Sequence, residues 1–301
     1  MSILTTTLHQ LFEQANLHFE AGRIAAARRD FESLIQLAVD KADRAMEIDA
    51  RIMLAWCMLI SRDLESGREQ LSLVEPILDP LYLRSQQRFQ RVRVRYSLDP
   101  SSQTDADVAL KEYLHWAEAH DCIEEVLDAC ELLAQQSELE ERVDWYQRAI
   151  EFCLVKTTDV SLGPTYQALA IALDQLGRHE EAMECYVQAL LVYQQQGTTR
   201  DWVAASWAVG ALACRMEDWP LARKHLEEAH LGVEKDDNCK DLEGLILADL
   251  SQAAAASGDV IEARRLLIRA MQLGREHDLE SLWPDRWASM QEQAIQIGLD
   301  A

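Results

Sequence analysis

A helical pattern recurs along the chain with a period of about 40 residues. Each clear copy has a short break, then an alanine, an apolar residue four positions later and an alanine three after that. The clearest triplets are Ala182/Tyr186/Ala189, Ala222/Leu226/Ala229 and Ala263/Leu267/Ala270. The breaks before them contain Gly177, Asp218 and Gly258, which suit a helix end followed by a new start. One helical hairpin cannot bury its apolar face alone, so such copies must stack on one another.

Looser copies of the same pattern extend to the start of the chain. They are Ala27/Phe31/Leu34, Gly67/Leu71/Val74, Ala109/Tyr113/Trp116 and Arg142/Tyr146/Ala149. The last positions of the triplets are 34, 74, 116, 149, 189, 229 and 270, so consecutive copies are 33 to 42 residues apart. We therefore predict an all-α fold in a single domain over 1–301. Its predicted hairpins span about 8–40, 48–79, 80–120, 121–156, 163–196, 203–236 and 244–277.

A solitary helix over 281–299 is predicted to cap the last hairpin. Ser281 can start it and Pro284 falls in its first turn, where proline is tolerated. Its apolar stripe is Trp283, Trp287, Met290, Ala294 and Ile297.

The composition favours a helical fold, and the net charge restricts the kinds of partner that the chain can bind. Only 11 glycines and 6 prolines occur in 301 residues, too few for a turn-rich β fold. The formal net charge of -23 argues against binding nucleic acid or an anionic membrane surface, and favours basic partners. No apolar run is long enough to cross a membrane.

The cysteines and the amino terminus suggest a reducing compartment. The seven cysteines are scattered, without a CxxC pair, and most lie in apolar helical patterns. The first ten residues, MSILTTTLHQ, lack the basic and apolar regions of a signal peptide. We therefore expect a cytoplasmic protein.

The repeat resembles the tetratricopeptide repeat. In the strongest copy, 163–196, the residues on signature positions are Tyr166, Leu169, Ala170, Leu173, Gly177, Ala182, Tyr186 and Ala189. The small position where two helices cross holds Gly210 in the sixth copy. The period of about 40 residues is similar to the longer-helix variant in kinesin light chain and MalT-like regulators. The resemblance implies a right-handed α-solenoid of about seven hairpins whose first helices line a concave groove.

The resemblance also assigns groove positions. They are His9, Phe12, Asn16, Phe19, Ile52, Trp56, Leu59, Ile60, Leu127, Glu131, Gln167, Ile171, Asp174, Trp207, Arg215 and Gln252. The amino-terminal part of this set is apolar and aromatic, which suits an amphipathic helix or an apolar peptide of a partner protein. The alternative is that the same side chains are buried in the hydrophobic core. Because Phe12 and Trp56 occupy places where a clamp for a terminal carboxylate needs polar groups, we do not expect that clamp.

The stretch LRSQQRFQRVRVRYSL, residues 83–98, alternates like a strand but fits a helix better. Ser85, Phe89, Val92 and Tyr96 follow helical spacing over more residues than the alternation covers, and an isolated strand would have nothing to pair with. We predict the first helix of the third hairpin.

An arginine stripe, Arg84, Arg88, Arg91 and Arg95, runs along this predicted helix. It can form salt bridges with Glu124, Glu125, Asp128 and Glu131 of the next first helix. Alternatively, its guanidinium groups can bind an acidic segment or a phosphate of a partner.

No motif in the chain predicts catalysis or a cofactor. GxGxxG, GxxxxGK[ST], HExxH and GxSxG are all missing. His115, His120 and Cys122 do not share one helix face, so we predict no metal site there.

The sequence therefore predicts a non-catalytic adaptor or scaffold that binds a partner in a concave groove. The predicted contacts are the groove residues Phe12, Asn16, Phe19, Ile52, Trp56, Leu59, Trp207 and Arg215, together with the arginine stripe. A peptide-sensing regulator that acts on a signalling or DNA-binding partner is the main alternative. An enzyme and a self-assembling array are further alternatives, and the oligomeric state stays open.

Overall fold

The computed structural model describes residues 7–100, 105–156 and 160–299. Within these residues the chain forms sixteen α-helices and no strand. They are α1 Leu8–Glu20, α2 Ile24–Asp40, α3 Arg44–Ile60, α4 Leu64–Val74, α5 Leu83–Ser97, α6 Ala106–Ala119, α7 Ile123–Gln136, α8 Leu139–Lys156, α9 Gly163–Gln175, α10 His179–Gln196, α11 Thr199–Arg215, α12 Trp219–Val233, α13 Lys240–Ala256, α14 Val260–Glu276, α15 Leu279–Leu282 and α16 Pro284–Gln296. The predicted all-α fold of repeated helical hairpins is confirmed.

Two compact units divide the chain, Met1–Leu133 and Ala134–Ala301. In the first unit α1 packs on α2, α3 on α4 and α5 on α6. In the second unit α9 packs on α10, α11 on α12 and α13 on α14. A single domain over the whole chain stays a prediction.

The turns of the pairs α1–α2, α9–α10, α11–α12 and α13–α14 share one backbone feature, a residue in the left-handed region. Gly22, Gly177 and Gly258 take it with φ of 70°, 75° and 84°, where a glycine has no Cβ to clash. In the sixth repeat Glu217 takes it with φ 59°, and Asp218 then caps α12 by accepting from the Leu221 N–H. The breaks that the sequence indicates are thus true helix ends.

The repeat triplets form the cores of the two units. The triplet of α2 is at most 1 % exposed, and the triplets of α10, α12 and α14 are at most 6 % exposed. In α5 the predicted apolar face is mostly buried, with Phe89, Val92 and Tyr96 at 4 % exposure or less. The prediction that RVRVRY is helical is therefore confirmed.

The capping helix starts later than the sequence predicts. Ser281 lies in the one-turn helix α15, and α16 begins at Pro284. The residue before a proline is disfavoured in the α conformation, and Trp283 has the extended φ of -140°. Trp287, Met290 and Ala294 pack into the core of the second unit as expected, whereas Trp283 is 47 % exposed.

Candidate functional site

The arginine stripe of the first unit is engaged by carboxylates on both neighbouring first helices. Arg88 Nη1 lies 2.5 Å from Asp49 Oδ2 of α3. On the other side, Arg91 Nη2 lies 2.6 Å from Glu125 Oε1, and Arg95 Nη2 lies 2.6 Å from Asp128 Oδ1. Arg84 is exposed. Three rungs therefore tie α3 and α7 to α5, and we call them the arginine ladder.

Two of the same guanidinium groups also contact aromatic rings. Arg88 lies 5.3 Å from the ring centroid of Phe12, and Arg95 lies 5.7 Å from that of Trp56. The Trp56 ring in turn meets Phe19 at 5.4 Å. These arginines therefore cover aromatic side chains that the sequence placed in an open groove.

The remaining amino-terminal groove positions are divided between core and surface. Phe12 and Ile52 are buried at 4 % and 0 % exposure, because they pack among α1, α2, α3 and α5. Asn16, Phe19, Trp56 and Leu59 are half-buried, while His9 and Ile60 are exposed. On α7, Leu127 is half-buried and Glu131 exposed. Partner binding at this set stays a prediction.

Burial distinguishes Glu125 from the other acids of the ladder. Its side chain is only 4 % exposed, and besides Arg91 it accepts from Gln87 Nε2 at 3.1 Å. Desolvation raises the pKa of Glu125 above its usual value, although the Arg91 charge opposes the shift. The rung is therefore a buried ion pair rather than an exposed binding group.

In the second unit, the groove positions of the fifth and sixth repeats surround one open cavity of about 340 Å³. Its floor consists of Ala204, Ala208 and Ala211 of α11. Its walls are Gln167, Ile171, Tyr186, Trp207, Arg215, Trp283 and Arg286. We call this cavity the Trp207 groove. It is mostly apolar, and Ile171 at 44 % exposure is open to solvent.

Trp207 is held rigidly on three sides. Its Nε1–H donates to Asp249 Oδ2 at 2.8 Å, the Arg286 guanidinium lies 5.9 Å from its ring, and Trp283 contacts it edge-on at 6.4 Å. Asp249 also accepts from Arg286 Nη2 at 2.6 Å. Aromatic rings held in this way lose little entropy when a ligand contacts them.

The far end of the groove carries a second fixed charge pair. Arg215 Nη2 donates to Asp174 Oδ2 at 2.5 Å, and His179 Nδ1 lies 3.0 Å from Asp174 Oδ1. Arg215 stays 44 % exposed, so part of its donor fork faces solvent. The predicted groove residue Gln252 lies elsewhere, in a shallow exposed site beside α16.

Sequence reasoning missed two residues that line the Trp207 groove, Trp283 and Arg286, and a third, Asp249, that accepts a hydrogen bond from Trp207. Trp283, Asp249 and Arg286 lie outside the repeat positions that indicate a groove. The sequence pattern predicts Trp283 in the apolar stripe of the capping helix, and only the Trp-Pro step indicates that its ring leaves that stripe.

The cysteines in the described part of the chain do not have the properties of catalytic nucleophiles. Six of the seven cysteines are buried, and burial raises the pKa of the Cys57 thiol to about 11. A buried thiol with a raised pKa is a poor nucleophile. His120 stacks on Trp116 at 4.8 Å instead of facing Cys122.

Two kinds of structure are missing from the described part of the chain. It holds no group of three His, Cys, Asp or Glu side chains suited to a metal ion. It also holds no helix with the length and apolar character needed to cross a membrane.

Comparison with known proteins identifies the repeat. Residues 163–196 match the sequence profile of the tetratricopeptide repeat. No curated protein sequence matches the chain.

Two solved structures share the fold. One is a Signal Transduction ATPase with Numerous Domains protein from Pyrococcus horikoshii that has a tetratricopeptide repeat sensor. It superposes with a TM-score of 0.75 at 14 % identity over 95 % of this chain and 45 % of that protein. The other, aspartyl phosphate phosphatase F from Bacillus subtilis, has a TM-score of 0.54 at 15 % identity over 98 % of this chain and 83 % of that protein.

The chain thus spans less than half the length of the Pyrococcus protein. Residues 163–196 are thus a tetratricopeptide repeat, and the described helical hairpins share the fold of tetratricopeptide-repeat structures.

Proposed function

We propose that the chain is a non-catalytic protein-interaction module that binds an apolar segment of a partner protein in the Trp207 groove. The observation that carries this proposal is the rigid, mostly apolar cavity of about 340 Å³ between first helices of the second unit. Such a cavity accommodates one or two apolar side chains, and the rings around it are already fixed.

An amphipathic helix or extended peptide fits the groove best. Its apolar side chains would contact Ile171, Trp207 and Trp283, of which the first and last are 44 % and 47 % exposed. Acidic residues beside those anchors would meet the exposed part of Arg215, which has donors left after its bond to Asp174. The half-buried Phe19 and Trp56 of the first unit are a secondary contact in this proposal.

A charge placed in the groove is the direct test. In Ile171→Asp, we expect partner capture from the native lysate to fall at least tenfold, because an unpaired carboxylate in an apolar contact costs about 1.4 kcal/mol or more. The matched control is Ile268→Asp, since Ile268 is also an exposed helical isoleucine, at 56 %, and does not line the groove.

Captured proteins are identified by mass spectrometry, and circular dichroism checks that both variants stay folded. A photo-crosslinking amino acid at position 171 should label the partner that Ile171→Asp loses. If Ile171→Asp captures the same partners as the wild type, or if Ile268→Asp loses them equally, the Trp207 groove is not the binding site.

A further inference from the structure

The charge of its lining distinguishes the Trp207 groove from the chain as a whole. In the sequence, 52 acidic residues outnumber 29 basic ones. The groove reverses this balance, because the described residues that line it include two arginines, Arg215 and Arg286, and no aspartate or glutamate. The net charge favours a basic partner at long range, whereas the lining favours an acidic one inside the groove.

The aspartates paired with these arginines, Asp174 and Asp249, do not line the groove. Each binds its arginine with one oxygen, while the other oxygen meets His179 Nδ1 in the first case and Trp207 Nε1 in the second. Their side chains are only 19 % and 6 % exposed. Both carboxylates are therefore engaged within the protein, and a ligand in the groove meets the guanidinium groups rather than the acids.

Both arginines keep donors for a ligand. Among the described residues, each guanidinium donates to its aspartate through Nη2 alone. Arg215 is 44 % exposed. Arg286 is 30 % exposed, and neither its Nε nor its Nη1 is buried without a partner, so these nitrogens reach solvent. An arginine has five N–H donors, and a carboxylate can accept two of them at once.

The two arginines lie at opposite ends of the groove. The Arg286 guanidinium lies 5.9 Å from the Trp207 ring. Arg215 follows Trp207 by eight residues on α11, which is about two helical turns or 12 Å along the axis. Ala208 and Ala211 form the floor between these ends. Because separate aspartates hold the two guanidinium groups, they suit a ligand that has an acid at each end of an apolar middle.

An extended peptide matches this spacing. Its side chains alternate between two faces, so residues i, i+2 and i+4 face the same way and span about 13 Å. We propose that the Trp207 groove selects extended partner segments with the pattern acid-x-apolar-x-acid. The two carboxylates bind Arg286 and Arg215, and the apolar side chain packs on the alanine floor beside Trp207. This preference rests on the proposed function and specifies the chemistry of its partner.

Isothermal titration of the purified full chain at pH 7 with three pentapeptides tests the preference. The probes are acetyl-Glu-Ala-Leu-Ala-Glu-amide and two counterparts, in which glutamines or lysines replace both glutamates. We expect the glutamate peptide to bind at least tenfold more tightly than either counterpart, because only its carboxylates form charge-assisted hydrogen bonds with the guanidinium groups. The lysine peptide is the one that the net charge of the chain would favour.

Three variants and a matched control connect the preference to the groove. Ile171→Asp should abolish binding of the glutamate peptide, as the proposed function requires. Arg215→Gln and Arg286→Gln should each weaken the glutamate peptide about tenfold and leave the glutamine peptide unchanged, which a loss of folding would not do. Arg200→Gln is the control. Arg200 also lies on α11, is 46 % exposed and pairs with Asp241, but it does not line the groove.

Different outcomes refute the acid preference and the groove itself. Equal affinity for the glutamate and glutamine peptides, with both lost in Ile171→Asp, would overturn the preference and leave the groove as a binding site. Tighter binding of the lysine peptide, an equal loss of both other peptides in Arg215→Gln, or the same loss in Arg200→Gln would also overturn it. If no peptide binds, the preference is refuted, and partner capture by the wild type and Ile171→Asp still decides whether the groove binds a protein.

Discussion

In Arg91→Met, the free energy of unfolding at pH 7 is expected to fall by about 3 kcal/mol. The substitution leaves the Glu125 carboxylate buried, with Gln87 Nε2 at 3.1 Å as its remaining side-chain donor. Removing one partner of a buried ion pair costs about 3–5 kcal/mol. The lower end of that range applies because Arg91 is 28 % exposed and water can reach the site.

The loss should shrink as the pH falls. Burial already raises the pKa of Glu125 above its ordinary value of 4.5, and removing the Arg91 charge raises it further. A carboxyl whose pKa is higher in the folded state favours folding when it is protonated, and that contribution is lost as the pH rises through the folded pKa. Arg91→Met should therefore be most destabilised at pH 7 and least near or below pH 4.5.

Urea unfolding followed by circular dichroism at several pH values measures both effects. The double variant Arg91→Met/Glu125→Leu should recover most of the loss, because it replaces the pair by apolar side chains. Lys111→Met is the control in the same unit. The ion pair of Lys111 with Asp107 is exposed and should contribute under about 1 kcal/mol to the free energy of unfolding. A loss in Arg91→Met no larger than in Lys111→Met, or one independent of pH, would contradict this account.

The sequence offers the ladder between α5 and α7 as one of two alternatives for the arginine stripe, because its spacing follows from the repeat. Stacked hairpins bring the same face of successive first helices together, so an arginine stripe on one and acids on the next can meet. The pair of Arg88 with Asp49 and the stacking of Arg95 on Trp56 depend instead on side-chain direction. A pattern of residue types does not contain that information.

In the candidate site, too, the repeat predicts some of the residues and not others. Ile171, Trp207 and Arg215 are assigned by the repeat, and they surround one cavity. Trp283 reaches it from a non-repeating segment, so periodicity cannot find it.

Gly67 is a repeat position whose residue type only the structure explains. Five other copies have alanine there, Ala27, Ala109, Ala182, Ala222 and Ala263, and all of these except Ala109 are at 0 % exposure. In the second repeat the Tyr96 side chain of α5 occupies the space of that methyl group. A Cβ on Gly67 would lie 1.6 Å from Tyr96 Oη and 2.6 Å from Cζ.

Gly67→Ala is therefore expected to lower the free energy of unfolding by about 2–3 kcal/mol, although alanine favours a helix over glycine by about 1 kcal/mol. Tyr96 must leave its place, which costs packing energy and breaks its 2.7 Å hydrogen bond to the Ala55 carbonyl. The same substitution in a Tyr96→Leu background removes the clash, so there it should be neutral or stabilising by up to about 1 kcal/mol. Urea unfolding of the four proteins gives the coupling free energy between the two positions. A coupling near zero would show that alanine at position 67 does not compete with Tyr96 for the same space.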